Sequence, residues 1–274
     1  MKIINLIEDT TADNGCLYEH GLSFYIETNN HKLLVDTGAS DAFLKNAEKL
    51  GVDIKQVDTV ILSHGHYDHS GGLLAFVKEN PDAKIYIRDN AFGGFYHGKD
   101  ENKRYIGVDK RIEKLPQVVK VSGNLQIDDE LFLFTGVTGR KLWPSGNLQL
   151  YRIEDGVATV DDYSHEQYLV ISDKDKKILV SGCAHNGMLN ILDEYAKVVG
   201  GEPDVVISGF HMMKKQGFTE VDVAVIRETA QKLSETSAKF YTCHCTGTDA
   251  CGMMKEIMRE QVDFVHSGEV VCRG

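Results

Sequence analysis

The feature that most constrains this chain is a repeated pattern in which an apolar, strand-like segment is followed by a histidine. The segments 59–63, 177–184, 204–210 and 239–243 are followed directly by His64, His185, His211 and His244. In open α/β sheets, ligands bind at the carboxyl ends of the strands. We therefore expect an α/β fold in which separate strands bring these imidazoles to one edge of a sheet.

The segment His64-Gly-His66-Tyr-Asp68-His69 is the strongest indication of a metal site. In a tight turn, His64 and His66 are close enough to bind one ion. Asp68 and His69 provide the first two ligands of a second site. Neutral imidazole and carboxylate are ligands that zinc prefers, and they also suit iron and manganese. Burying these groups without a metal would leave polar atoms unpaired. The segment therefore predicts metal binding.

His64-x-His66-x-Asp68-His69 after a strand resembles the signature of the metallo-β-lactamase superfamily of metal-dependent hydrolases. Further segments are similar to one branch of this superfamily, which is labelled dihydropterin-ribofuranosylaminobenzene 5′-phosphate synthase. Those segments are EHGLS (19–23), LVDTG (34–38), SGCAHNG (181–187), GFHM (209–212) and CHCTG (243–247). The similarity extends from near residue 3 to near residue 271.

This resemblance implies a four-layer αβ/βα sandwich, with two mixed sheets face to face and helices outside. The residues that it places around two metal ions are, for the first ion, His64, His66 and His185 and, for the second, Asp68, His69 and His244. Many members of the superfamily have a bridging aspartate where this chain has Cys183. Cys183, His185 or a water therefore replaces that bridge, or the second site is weak. The expected cofactor is one or two zinc ions, with iron or manganese as alternatives.

The chain shows no linker or shift in composition, so we predict a single domain over residues 1–274. Thr219-x-x-Asp222 predicts a capping box at the start of a helix. The Gly-rich, charged segment 93–117 has no clear period and is predicted to be a long loop or lid. The segment 239–245 is predicted to be a strand.

Several other side chains are candidates for the site. Asp36 is predicted to accept the remaining N–H of a ligand histidine, although a turn aspartate is the alternative. His165 precedes a strand and either touches metal, as a residue at a similar place does in some superfamily members, or lines the pocket or a loop. His211 is predicted to donate a proton or contact substrate. His20 either reaches the site or packs a loop.

The chain has 6 cysteines, which are too few for a disulfide framework in a protein of this length. We expect reduced thiols. Cys243 and Cys245 flank His244, so in an extended segment they face away from it towards the core. A metal role for this pair stays open at this stage.

The chain has 30 Lys+Arg against 41 Asp+Glu, a formal net charge of −11, which argues against nucleic acid or an anionic membrane as the partner. No apolar run approaches the about 18 residues of a membrane span, and the N-terminus does not resemble a secretory leader. We therefore expect a cytoplasmic protein with a small-molecule anionic substrate, and the sequence leaves its oligomeric state open. Arg104, Lys214 and Lys215 are candidates to hold a phosphate or carboxylate, although solvated loop charge is the alternative.

These observations predict hydrolysis of an anionic ester, in the first place a phosphate ester, through a metal-bound hydroxide. A bound metal lowers the pKa of its water from about 16 to about 7, and Asp68 and His211 are the predicted catalytic groups. The branch label implies a synthase-type transfer on a pterin instead. Because similar ligands also hold iron in the superfamily, an iron-dependent oxidoreductase is another alternative, and a metal or ligand sensor without turnover is a third.

Overall fold

Short strands alternate with amphipathic helices in this computed structural model, which describes residues 1–273. The strands are β1 (Lys2–Ile7), β2 (Ser23–Glu27), β3 (Lys32–Val35), β4 (Thr59–Ile61), β5 (Lys84–Arg88), β6 (Phe95–His97), β7 (Arg104–Tyr105), β8 (Val118–Val121), β9 (Leu125–Gln126), β10 (Leu131–Phe134), β11 (Leu150–Glu154), β12 (Val157–Val160), β13 (Tyr168–Asp173), β14 (Lys176–Val180), β15 (Val205–Ser208), β16 (Lys239–Thr242), β17 (Val262–Phe264) and β18 (Val270–Arg273). The helices are α1 (Ala42–Lys49), α2 (Tyr67–Ser70), α3 (Leu73–Glu79), α4 (Met188–Val198), α5 (Glu220–Ser234) and α6 (Thr248–Met258).

Two mixed, seven-stranded sheets form the centre of the fold. Their strand orders are β18-β1-β2-β3-β4-β5-β8 and β17-β16-β15-β14-β13-β10-β9. Successive side chains of a strand point to opposite faces, and the core follows this rule. Leu33 packs between the two sheets, whereas the next residue, Leu34, packs with the side chains of α1 and α3. The same division holds for Ile178, between the sheets, and Leu179, which packs with α4, α5 and α6.

One apolar layer lies between the two sheets, and one lies between each sheet and its helices. The fold thus has four layers of secondary structure, in the order helices, sheet, sheet and helices. The predicted αβ/βα sandwich is therefore confirmed. No helix within residues 1–273 is both long enough and apolar enough to cross a membrane.

The segment 93–117 is the clearest departure from the sequence-based prediction, because it is not a structureless loop. It contains β6 and β7, which pair antiparallel and join β11 and β12 in a third sheet of four strands. The two strands are only three and two residues long, too short to show an alternating pattern. The predicted strand 239–245 is also wrong at its end, because β16 stops at Thr242 and a 3₁₀ turn follows over His244–Thr246.

The predicted capping box at the start of α5 is confirmed. The Thr219 hydroxyl accepts a hydrogen bond from the backbone N–H of Asp222 at 3.2 Å, and the Asp222 carboxylate accepts one from the backbone N–H of Thr219 at 3.0 Å. Burial opposes ionisation of Asp222, but hydrogen bonds from Ser145 and Thr219 outweigh it and lower the pKa of this carboxyl to about 2. This start fixes the register in which Ile226, Ala230 and Leu233 enter the core.

We expect Thr219→Ala to lower the free energy of unfolding by about 1 kcal/mol, because it leaves a backbone N–H of the first helical turn without its acceptor. Denaturant unfolding followed by circular dichroism measures this change. Thr219→Ser keeps the hydroxyl and should retain most of the stability. An equal loss in both variants, or no loss in Thr219→Ala, would contradict a stabilising cap.

Candidate metal centre

The ends of parallel strands from both sheets meet at one edge of the sandwich. β14, β15 and β16 are parallel neighbours in one sheet, and β3 and β4 are parallel in the other. The segments that follow these strands carry the histidines of the sequence pattern. In the structure the imidazoles of His185 and His211 lie 4.2 Å apart between ring centroids, and those of His64 and His69 lie 4.1 Å apart.

His64, His66 and His185 form the first ligand group. Their ring centroids are separated by 4.6 Å for the first two and by 4.9 Å from each of these to His185. The Nε2 atom of each ring is buried and has no hydrogen-bond partner. Three such nitrogens in one place would be costly unless a cation accepts their lone pairs.

Asp68, His69 and His244 form the second ligand group. One carboxylate oxygen of Asp68 lies 3.7 Å from Nε2 of His69 and 3.5 Å from Nε2 of His244. Nε2 of His244 is also buried without a hydrogen-bond partner. Both groups therefore fit a divalent ion, because each brings three donor residues together and leaves at least one buried Nε2 atom without a hydrogen-bond partner.

The sulfur of Cys183 lies between the two groups. It lies 3.1 Å from Nε2 of His69. It also lies within 4.8 Å of a ring nitrogen of His64, His185 and His244. Of the three replacements considered for the bridging aspartate, the geometry favours Cys183, because its side chain reaches both groups at once.

Asp36 orients one histidine of each group. Its carboxylate accepts hydrogen bonds from Nδ1 of His69 and from the Ser63 hydroxyl, both at 2.6 Å. Because the Ser63 proton goes to Asp36, the hydroxyl oxygen accepts from Nδ1 of His64, at 2.9 Å. Both imidazoles thus carry a proton on Nδ1, and their Nε2 atoms point to the ligand group.

Two further orienting residues were not predicted from the sequence. Asn147 accepts a hydrogen bond from Nδ1 of His185 at 3.0 Å, and Asp9 accepts one from Nδ1 of His244 at 2.5 Å. Asp9 is 235 positions from His244 in the chain, so no local spacing could have identified the pair. Asn147 lies in the short helix after Pro144, where an asparagine has no distinctive pattern.

The two groups differ in their protonation. Burial and neighbouring imidazoles keep the pKa of His64 and His185 well below the usual value and lower that of His66 to about 3, so these rings are neutral. In the second group burial acts in the same direction, but carboxylates outweigh it. Asp36 and Asp68 raise the pKa of His69, and Asp68 and Asp9 raise that of His244. Protons therefore compete with a metal more strongly at the second group than at the first.

Five of the ten non-glycine residues with left-handed backbones in the described chain lie around this centre. These five are Asp36 (φ 62°), Tyr163 (φ 54°), Ala184 (φ 52°), His211 (φ 49°) and His244 (φ 50°). Such conformations cost free energy and persist where the surrounding structure enforces them, which is common at functional sites. Here they turn the chain sharply after the strands, so that the side chains point across the sheet edge.

His165 is not free to bind an ion with either ring nitrogen. Its Nδ1 accepts the backbone N–H of Gly65 at 3.0 Å, and its Nε2 donates to Asp161 at 3.0 Å. Of the two predicted possibilities, the structure therefore favours a pocket residue that holds the turn between His64 and His66. Asp161 was not predicted, although its position four residues before His165 could have suggested it.

A cleft of about 130 Å³ opens onto both ligand groups. Asp68, His211 and Arg104 line it, as do His20 and Cys245 (the remaining lining residues include His66, Cys183, His185, His244, Ile106 and Leu150). His20 lies at the mouth, with Nε2 3.6 Å from a carboxylate oxygen of Asp68 and Nδ1 2.8 Å from Asp9. The structure thus brings His20, His211 and Arg104 to the cleft.

Three predicted placements are not found. Lys214 and Lys215 do not line the cleft, because Lys214 is hydrogen-bonded to Ser145 at 2.8 Å and Lys215 is exposed to solvent. Cys243 is in the core as predicted, but Cys245 lines the cleft instead. The prediction assumed an extended segment, and the 3₁₀ turn after Cys243 rotates the side chain of Cys245 towards the site.

The profile of the metallo-beta-lactamase superfamily matches residues 19–213. The chain belongs to this superfamily. It is 29% identical over 290 residues, 99% of this chain and 96% of the relative, to the 7,8-dihydropterin-6-methyl-4-(beta-D-ribofuranosyl)-aminobenzene-5′-phosphate synthase of Methanocaldococcus jannaschii. The metallo-β-lactamase fold implies binding of a divalent metal, for which the two ligand groups provide donor atoms.

Solved structures of the superfamily share the fold. The crystal structure of Tm1679, a metal-dependent hydrolase of the β-lactamase superfamily, is 30% identical with a TM-score of 0.83, over 100% of this chain and 99% of that one. An isothiocyanate hydrolase from Delia radicum gut bacteria is 14% identical with a TM-score of 0.56, over 100% of this chain and 99% of that one, and shows similarity of the fold alone.

We expect Asp36→Asn to weaken metal binding by about 10–100-fold, because one carboxylate oxygen accepts from the Ser63 backbone N–H and the other from the Ser63 hydroxyl and His69, whereas an amide keeps only one accepting oxygen. Competition between the protein and a chromophoric chelator measures the affinity. Asp41→Asn is a matched control, because Asp41 is exposed and its side chain makes no capping hydrogen bond. Unchanged affinity in Asp36→Asn would show that Asp36 does not orient these histidines.

Proposed function

We propose that this protein is a metal-dependent hydrolase of a small ester that carries an anionic group, in the first place a phosphate ester. The observation that supports this is the composition of one cleft. Two members of each ligand group line it, together with the imidazole of His211 and the guanidinium of Arg104; those members are His66, His185, Asp68 and His244. Within one cleft, these side chains can bind a metal ion, bind a charged group of the substrate and transfer a proton.

We propose one or two zinc ions as the cofactor, held by the first and second ligand groups. A bound divalent ion polarises a substrate oxygen and lowers the pKa of bound water towards neutrality. The protein's own contribution is to keep the donor atoms in place and free of protons. Burial does this for the first group, and the hydrogen bonds to Asp36, Asn147 and Asp9 direct the rings of both groups.

Asp68 and His211 are the proposed proton-handling residues. Although burial opposes ionisation, His69, His244 and His20 hold the pKa of Asp68 well below its usual value, so its carboxylate can accept a hydrogen bond from an attacking water. Nδ1 of His211 is buried without a hydrogen-bond partner, and the ring is half-buried beside His185. This imidazole is free to hold a proton for the leaving oxygen.

Arg104 is the proposed contact for the substrate's charge. It lies on β7 at the cleft, with its guanidinium 5.7 Å from the centroid of the Tyr67 ring. In a chain with a net charge of −11, a cation at the cleft provides local attraction for an anion. The apolar side chains of Ile106 and Leu150 beside it suit the uncharged part of a small ester.

A synthase-type transfer on a pterin is the second candidate, because the M. jannaschii relative with that name is similar over nearly the whole chain. The size of the cleft favours hydrolysis of a smaller substrate. Pockets for drug-sized ligands commonly measure about 300–1,000 Å³, whereas this cleft measures about 130 Å³. It accommodates the reacting group of an ester more readily than a pterin together with an aryl ribose phosphate.

We expect a chelator to abolish ester hydrolysis and zinc to restore it, and we expect His185→Ala to lower kcat/KM by at least about 100-fold. Release of phosphate from small phosphate esters, with elemental analysis of each variant, is the measurement. His31→Ala is a control, because His31 pairs with Asp58 and Asp128 outside the cleft. Full turnover by the metal-free protein, or product formed only when a pterin is supplied, would disprove the proposed hydrolysis.

We expect Arg104→Ala to reduce kcat/KM for a phosphate monoester by about tenfold, which corresponds to about 1.4 kcal/mol, through a higher KM and with metal content unchanged. Hydrolysis of a neutral ester with the same leaving group should change little. Lys99→Ala is the matched control, because Lys99 lies over the Tyr151 ring and does not line the cleft. Equal losses for both substrates would show that Arg104 does not select for charge.

A further inference from the structure

Two thiols lie side by side in the cleft, and the proposed hydrolysis does not use Cys245. Cys183 and Cys245 are both free cysteines, with 2% and 4% of their surface exposed. Their sulfur atoms lie within 4.8 Å of each other. Both border the cleft, so a small molecule that enters it can reach them.

The backbone around this pair leaves space for the sulfur atoms to approach. The Sγ of Cys245 lies 3.7 Å from the carbonyl oxygen of Cys183. Gly209 lies between the two segments, and a Cβ atom at that position would be 2.5 Å from the Sγ of Cys245 and 3.5 Å from the Cα of Cys183. Because glycine lacks this atom, the Cys245 side chain can rotate towards Cys183.

We propose that Cys183 and Cys245 form a reversible disulfide when a hydroperoxide enters the cleft. One thiol attacks the peroxide, its O–O bond breaks, and a sulfenic acid and an alcohol, or water for hydrogen peroxide, are produced. The second thiol then attacks the sulfenic sulfur, the S–S bond forms and water leaves. The two sulfurs together lose two electrons, and the peroxide gains them.

The disulfide weakens metal binding, because it withdraws a donor from both ligand groups. The sulfur of Cys183 lies 3.1 Å from Nε2 of His69 and within 4.8 Å of ring nitrogens of His64 and His244. Bonded to Cys245, it no longer provides a thiolate to a metal. This inference concerns metal affinity and does not depend on which substrate the protein hydrolyses.

Two other described thiols serve as comparisons. Cys243 is buried between the two sheets and Cys251 lies on the buried face of α6, and neither lines the cleft. Cys251→Ser is therefore a matched control for Cys245→Ser, since both replace one buried sulfur with oxygen.

The test treats metal-free full-length protein with stoichiometric hydrogen peroxide, blocks free thiols, and maps peptides without reductant by mass spectrometry. We expect peptides joined through Cys183 and Cys245, two hydrogens lighter than the separate pair, in the unmodified protein and in Cys251→Ser. Cys245→Ser should not form this linkage. Zinc affinity, measured by chelator competition, should fall by at least about tenfold on oxidation and recover with dithiothreitol.

Zinc loaded before the peroxide should slow the linkage, since a metal that engages Cys183 occupies the reacting sulfur. Free thiols at both positions after treatment, or oxidation to sulfinic acid without a linked peptide, would overturn the proposed disulfide. A linked peptide with unchanged zinc affinity would overturn its proposed effect on the metal. These results are distinct from a failure to hydrolyse esters, because none of the measurements uses turnover.

Discussion

Four buried nitrogens of the ligand histidines, each without a hydrogen-bond partner, are the constraint on which this structure depends. They are the Nε2 atoms of His64, His66, His185 and His244. Leaving one buried polar atom unpaired costs about 1–3 kcal/mol, so four together approach the about 5–15 kcal/mol by which a typical protein is stable. Such a cluster is sustainable when a cation offsets that cost. Hydrogen bonds to the Nδ1 atoms keep the opposite ring nitrogens directed inward, where they can bind a cation.

In this sandwich the strands form the core, and the turns after them carry the ligand residues. Apolar strands fill the core between the sheets, and their hydrogen-bonded registers fix where each chain segment reaches the sheet edge. The turns after them then make sharp, left-handed steps, as at Asp36 and His244. Asp36 connects two strand ends, because it follows β3 and contacts residues that follow β4. One carboxylate thus fixes the separation of two neighbouring strand ends and the orientation of two imidazoles.

The correct predictions concern residues for which both the side-chain type and the position next to a strand indicated the site. The histidines and Asp36 were predicted from their positions directly after apolar strand segments, and the structure brings them together. Reasoning failed where a contact depends on distant parts of the chain or on the direction of a turn. Asp9 reaches His244 from the other end of the sequence. Cys245 faces the cleft because of a single 3₁₀ turn. The strand β6 pairs with β7 on one side and with β11 on the other, and no pattern within residues 93–117 reveals the pairing with β11.

In the proposed function, that third sheet contributes to substrate recognition, whereas segments of the two large sheets hold the metal. The ligand groups come from the segments that follow strands of the two large sheets, whereas Arg104 and Leu150 come from β7 and β11 of the small sheet. A change at Arg104 or Leu150 therefore alters the charge or size of the cleft while every ligand residue stays the same. Under the proposed function, substrate preference should accordingly depend on Arg104, Ile106 and Leu150 rather than on the histidines that hold the metal.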